Sequence, residues 1–179
     1  MHRVIEHLRL FSREQEADVR GPLVVADAVD GAVQMVGAQL RAHGVLLEVG
    51  VAADLPPLTG DTFRLEQVLV NLVNNARDAV EERHRDAPEA PMRVQLHAGL
   101  EDGAIVVEIE DNGVGMEPEE LERVFDPFYT TKAPNQGTGL GLAIAHGIVT
   151  QLGGRVETNS IKGEGTCMRV VLPVEAQPA

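Results

Sequence analysis

Apolar residues recur at helical spacing in some stretches of this chain and alternate with polar ones in others. Val4, Ile5, Leu8 and Phe11 share one face of a helix predicted over Met1 to Asp18, with charges on the rest. Arg20-Gly21-Pro22 breaks it, Leu23 to Val25 suits a short strand, and a second helical pattern runs from Ala26 to His43, closed by Gly44. Val45 to Val51 reads as a strand, and Pro56-Pro57 as a turn. From Asp61 to about Arg83, an apolar stripe of Leu65, Val68, Leu69, Leu72, Ala76 and Val80 predicts a helix, followed by the polar segment His84 to Pro91. Strands Met92 to Ala98 and Ala104 to Glu110 turn at Glu101-Asp102-Gly103, and a short acidic helix is expected over Pro118 to Val124. A helix from about Gly139 to Leu152 and strands Arg155 to Ser160 and Thr166 to Pro173, turning at Lys162-Gly163-Glu164-Gly165, complete the pattern.

Helices interleave with strands, but several neighbouring strands are joined by tight turns, so the sheet should be mixed. The expected fold is an α/β (α+β) two-layer sandwich, with one mixed sheet packed against about three helices. At 179 residues and 44% hydrophobic content the chain can bury one full core, and the scarcity of aromatics leaves Leu, Val, Ile and Ala to build it. The single Cys167 rules out a disulfide within the chain and reads as a small buried apolar side chain. A net charge of -13 argues against a nucleic-acid surface, and it means that an anionic ligand would be held by backbone amides, a metal and a few local cations. No apolar run is long enough to span a bilayer, and the first residues do not read as a signal peptide, so the chain as given is expected to be soluble.

Four segments carry candidate chemistry. On the helix from Asp61, Asn71, Asn75 and Asp78 fall at i, i+4 and i+7, away from the apolar stripe; alone they read first as a solvated polar face. Asp111-Asn-Gly-Val-Gly-Met116 follows a strand and has the composition of a turn. Phe125-Asp-Pro-Phe-Tyr-Thr-Thr-Lys132 gathers aromatics, of which Phe125 and Phe128 are expected to anchor the loop on the core. Its Lys132 is the only Lys or Arg between Arg123 and Arg155 and a candidate partner for a phosphate. Gly137-Thr-Gly-Leu-Gly-Leu142 strips side chains from a helix entrance, where free N–H groups suit an anion. It is neither a Walker A loop, which ends in Gly-Lys-Ser/Thr, nor a dinucleotide fingerprint, which follows a strand.

In order and spacing, QVLVNLVNNARDAV, DNGVGM, FDPFYTTK, GTGLGLAI and the late GEGT resemble the ATP-binding catalytic domain of two-component sensor histidine kinases, in the GHKL or Bergerat superfamily. The resemblance covers Gly21 to Glu175 and is narrower still to the nitrogen-regulation and dicarboxylate-sensor type. It implies ATP and Mg²⁺ as cofactors. Asn75 would be the metal ligand, with Asn71 beside it, and both would belong with Lys132 to the catalytic set. Asp111 would accept from the adenine amino group, Gly113 and Gly115 would let the backbone approach the base, and Thr166 would lie near it. Asp78, Met116, Phe128, Thr131, Lys132, Gly137, Thr138, Gly139, Leu140, Gly141 and Leu142 would complete the nucleotide contacts, with Thr130 to Gly137 as a short lid stiffened by Pro134. Hydrolytic relatives place a glutamate where this chain has Asn71, and an amide cannot act as a general base. Asp78 and Ala79 depart from a pattern in which Lys and an aromatic are frequent.

The resemblance further implies residues 1–20 as the end of a dimerisation and phosphoacceptor helix and residues 21–176 as the catalytic domain. Phosphoryl transfer would go to a histidine on a helical hairpin outside this segment and on to a response-regulator receiver domain. His7 lacks the Glu and Pro of the acceptor motif. A cytoplasmic, monomeric fragment of a parent kinase, without nucleic-acid or direct membrane contact, is the expectation, with membrane anchoring of the parent left open. The competing classes are a GHKL ATPase acting as a conformational switch and an anti-sigma-type serine kinase.

Overall fold

The computed structural model describes residues 21–132 and 137–174, so the helix expected over Met1 to Asp18, with His7, lies outside the described residues. Strand β1 (Gly21–Leu23) pairs antiparallel with β3 (Leu58–Gly60) in a small sheet beside the main one. Val25 was expected to end a strand but opens helix α1 (Val25–Ala42), because Val25, Ala28, Val29, Ala32, Val36 and Leu40 form one buried stripe at helical spacing. The sequence shows no signal for β3, three residues after Pro56-Pro57 and too short for any periodicity.

Strand β2 (Leu46–Val51) precedes β3, and helix α2 (Thr62–Asp86) follows it. The Asp61 carboxylate caps α2 by accepting the N–H of Phe63 at 2.8 Å. The helix runs six residues past Val80, the last of its apolar stripe, and stops at Ala87, where the following Pro88 disfavours the helical backbone. Strands β4 (Arg93–Glu101) and β5 (Ala104–Asp111) run longer than expected, since the hairpin needs only Asp102 and Gly103, at φ 47° and 78°, to reverse direction. Helix α3 (Pro118–Leu121) is a single turn that ends before Val124; helix α4 (Gly141–Gln151) begins two residues after the expected Gly139. Strands β6 (Arg155–Ile161) and β7 (Gly165–Pro173) close the fold.

The main sheet has the order β2-β4-β5-β7-β6, with β2 and β4 parallel and the other pairs antiparallel. The parallel pair needs a crossover, and α2 supplies it. Helix α2 lies at the centre of the helical layer, touching α1, α4 and strands β4, β5 and β7. Its Leu65, Leu69 and Leu72 meet Leu96, Ile105 and Leu172 of the sheet in a fully buried core. The other sheet face is polar: Arg169 pairs with Glu157 at 3.0 Å and Glu108 at 3.2 Å. Cys167 stands on that face and is half-buried, not buried as expected, because its neighbour Met168 takes the inward position in β7. Burial, then the charges of Glu108 and Glu110, push its thiol up to about 11, which keeps it unreactive near neutrality. The layers match the predicted two-layer sandwich, with four helices among the described residues where about three were expected. None is long and apolar enough to cross a membrane.

Candidate functional site

The polar face of α2, the loop leaving β5, the entrance to α4 and one end of β6 and β7 converge on the helical side of the sheet. Asn71 and Asn75 are one helical turn apart, and the start of α4 lies over them. A Cβ at Gly141 would stand 3.8 Å from the Asn71 carboxamide oxygen and 3.9 Å from the Asn75 nitrogen. The first intrahelical bond of α4 runs from the Ile144 N–H to the Leu140 carbonyl, so the N–H groups of Gly141, Leu142 and Ala143 are left without partners inside the helix. The Asn71 Nδ2 is buried and makes no hydrogen bond. An orphaned donor of this kind is costly unless a ligand satisfies it.

Lys132 reaches this cluster from a segment 54 residues downstream of Asp78. Its Nζ lies 2.5 Å from the Asp78 carboxylate and 3.5 Å from the Asn75 Oδ1. Arg77, buried to 8% exposure, braces the arrangement by donating to Asp78 at 2.5 Å and to Asn74 at 3.0 Å. Burial pushes the Asp78 carboxyl up, but the hydrogen bonds and charges of Lys132 and Arg77 outweigh it and hold it below its ordinary value.

Asp111 forms the other end of the site. The last residue of β5, it faces the core side, accepts the Gly113 N–H at 2.8 Å and has the Thr166 backbone N–H near enough to favour its charge. Burial is the dominant influence and raises its carboxyl to about 6. The loop beyond it is tied down on both sides: Val114 donates to the Ala79 carbonyl at 3.2 Å, and Gly163 donates to the Val114 carbonyl at 2.7 Å. Arg83 donates to the Asn112 carbonyl at 2.7 Å and to that of Glu164 at 3.3 Å, bridging this loop to the β6–β7 turn.

Two glycines set how closely those segments approach. A Cβ on Gly115, at φ 62°, would fall 2.0 Å from the Ile161 carbonyl oxygen, and one on Gly165, at φ 136°, 2.0 Å from that of Asp111. Gly165→Ala should therefore destabilise the fold by about 2 kcal/mol, read as a lower midpoint in chemical denaturation; an unchanged midpoint would mean that the strands separate freely here.

Of the residues singled out from the sequence, Asn71, Asn75, Asp78 and Lys132 come together, as do Asp111, Gly113, Gly115 and Thr166. Met116 and Leu142 are partly buried against the core, and Thr131 and Gly137 are exposed. Thr138 Oγ1 accepts the Leu140 N–H at 3.4 Å, and Gly139, at φ 66°, accepts the Phe128 N–H at 2.9 Å through its carbonyl. The anchoring role expected of Phe128 does not hold: it is 74% exposed with φ 67°, and its left-handed backbone turns the ring outward. Phe125 anchors the loop, packing on the core and 5.0 Å from the His146 ring. Residues 133–136, including Pro134, lie outside the described residues. Arg77, Arg83 and Ser160 were not foreseen. Arg77 and Arg83 look like surface charges on a helix, and Ser160 gains meaning only from the register that sets it beside Thr166.

Residues 60–176 match the family model of histidine kinase-, DNA gyrase B- and HSP90-like ATPases. The chain is 39% identical to the two-component sensor PprA of Pseudomonas aeruginosa across 97% of its own length, and 36% identical to the sensor kinase CckA of Brucella abortus across 95%. It spans 18% of the length of each. It superposes on the mycobacterial sensor histidine kinase MprB with a TM-score of 0.70 at 27% identity, covering 87% of this chain and 97% of that one. Matched across most of its length in sequence and in the arrangement of its sheet and helices, the chain belongs to the histidine kinase-, DNA gyrase B- and HSP90-like ATPase family.

Proposed function

We propose that the domain binds Mg²⁺-ATP and positions its γ-phosphoryl for transfer to a histidine on a helical hairpin of the parent sensor kinase, from which it passes to a response-regulator receiver domain. The observation that carries this reading is the pairing of two ends on one face. Two side-chain amides, the orphaned Asn71 Nδ2 and the free N–H groups of α4 stand at one end, and a buried carboxylate at the other. The first end suits phosphates and the second an exocyclic amine.

The donor set fits the metal. Asn75 would hold it through its amide oxygen, while the Asn71 N–H fits a phosphate oxygen; a hard cation completes its shell with phosphates and water. When bound, the ion neutralises phosphate charge and aligns the transferring group. Asn71 offers no base to activate water, which favours transfer to a side chain over hydrolysis and over the ATPase-switch alternative. Such a kinase domain would work in the cytoplasm, where ATP is.

Calorimetric titration with ATP and GTP, with and without Mg²⁺, tests the assignment. Adenine-selective binding strengthened by Mg²⁺ is expected, and a folded sample that binds neither nucleotide would overturn it. Asp78 gives a finer test. Phosphates must compete with its carboxylate for Lys132, so Asp78→Asn should tighten ATP binding roughly three- to tenfold, most at low salt, by removing a nearby negative charge. Weaker binding by this variant would instead make Asp78 part of the cradle.

A further inference from the structure

Asp111, Thr166 and Ser160 form one rung across β5, β7 and β6: Asp111 is paired with Thr166 and Thr166 with Ser160, on the core side of the sheet. The Ser160 Oγ lies 2.9 Å from three groups: the Met116 N–H, the Gly165 carbonyl oxygen and the Thr166 hydroxyl. A serine hydroxyl has one proton to give and two lone pairs to receive with. The Met116 N–H can only donate and the Gly165 carbonyl can only accept, so Ser160 receives from the first and donates to the second. Its proton is then spent, and the Thr166 contact is a hydrogen bond only if Thr166 donates. The Thr166 proton therefore points at Ser160, which leaves Thr166 nothing but lone pairs for any other partner.

We propose that Ser160 determines base specificity by holding the Thr166 hydroxyl as an acceptor, so that the rung beside the base presents acceptors alone, from Asp111 and Thr166. This rests on the placement of adenine at Asp111. Adenine offers an amino group at its 6-position, whereas hypoxanthine and guanine place a carbonyl oxygen there. Against two fixed acceptors that oxygen meets only lone pairs. Without the Ser160 hydroxyl, Thr166 turns freely and donates to it, and one source of rejection disappears.

The experiment is calorimetric titration of the domain with Mg²⁺-ATP and Mg²⁺-inosine triphosphate, which share every atom except those at this edge and the neighbouring ring proton. The wild-type protein should prefer ATP strongly. Ser160→Ala should narrow the ATP-to-inosine-triphosphate affinity ratio at least tenfold, with a gain in affinity for inosine triphosphate, and Ser160→Thr, which keeps the hydroxyl, should restore it. Thr166→Val, which keeps the shape of the side chain, should narrow the ratio by losing ATP affinity, and it provides a second route if Ser160→Ala folds poorly. A merely structural Ser160 would weaken both nucleotides equally; an unchanged ratio in Ser160→Ala and in Thr166→Val overturns the inference. A wild-type ratio of one would instead overturn the placement of adenine at Asp111, and this inference with it.

Discussion

Replacing Asp111 with Asn should make the nucleotide-free domain more stable at pH 8 while abolishing most of its affinity for ATP. The carboxyl titrates at about 6 in the fold against an ordinary value of 3.8, so the folded state binds a proton more readily than the unfolded chain. A raised carboxyl contributes its stability at low pH and loses it as pH rises through 6. The wild-type protein therefore carries the cost of a buried charge at pH 8, about 3 kcal/mol if the whole shift is counted. Asparagine carries no charge, but it has one acceptor oxygen where the carboxylate has two, so its amino side weakens the hydrogen bonding that the carboxylate receives, the Gly113 N–H included. The net gain should be about 1 to 2 kcal/mol at pH 8, vanishing toward pH 4. Thermal melts of both proteins across that range check the sign; a variant less stable at pH 8 would mean that the hydrogen bonding lost by the carboxylate outweighs its desolvation. ATP binding should fall on the order of 100-fold, the contribution of a hydrogen bond to a charged group. In the wild-type protein it should weaken as pH drops below 6, where the acceptor takes up a proton. A site that stores destabilisation in its own ligand group is a usual mark of function.

Asn75→Ala should remove the Mg²⁺ dependence of ATP binding. Partners that only orient a metal ligand cost roughly 10- to 100-fold in metal affinity when lost, so a direct ligand belongs at or beyond the top of that range. The loss should be confined to titrations containing Mg²⁺, because the hydrogen bonds to phosphate proposed for α4 and Lys132 would not pass through Asn75. Its own contact with Lys132, at 3.5 Å, is long, and Lys132 keeps Asp78 at 2.5 Å as the dominant partner. Equal weakening with and without Mg²⁺ would reassign Asn75 to holding α2 against α4.

The comparison of sequence and structure divides along a physical line. Periodicity carried α1, α2, α4 and the longer strands, because a buried face repeated over many residues leaves a pattern that local propensity reinforces. It failed at β3, with three residues, and at the junction of β1 with α1, where Val25 suits either element. The glycine segments could be read because close approach and positive φ admit few other residues; Gly115 and Gly165, each with a carbonyl oxygen where a Cβ would stand, are the cases in point. Asn71, Asn75, Asp111 and Lys132 were named from their motifs alone. The resemblance also gathered them into one nucleotide site, but the contact between Lys132 and Asp78 was not legible, since it forms only after 54 residues of chain have folded back. Phe128 was misplaced because an aromatic in a loop usually packs inward, and a single left-handed residue reversed that. Ser160, Arg77 and Arg83 were invisible to the sequence for a common reason: each acts through hydrogen bonds to groups whose positions are set by strand register and helix packing. Composition and motif order determined which chemistry this chain carries. The tertiary structure decided which protons face which lone pairs, because hydrogen-bond direction depends on where every neighbour in the folded chain has been placed.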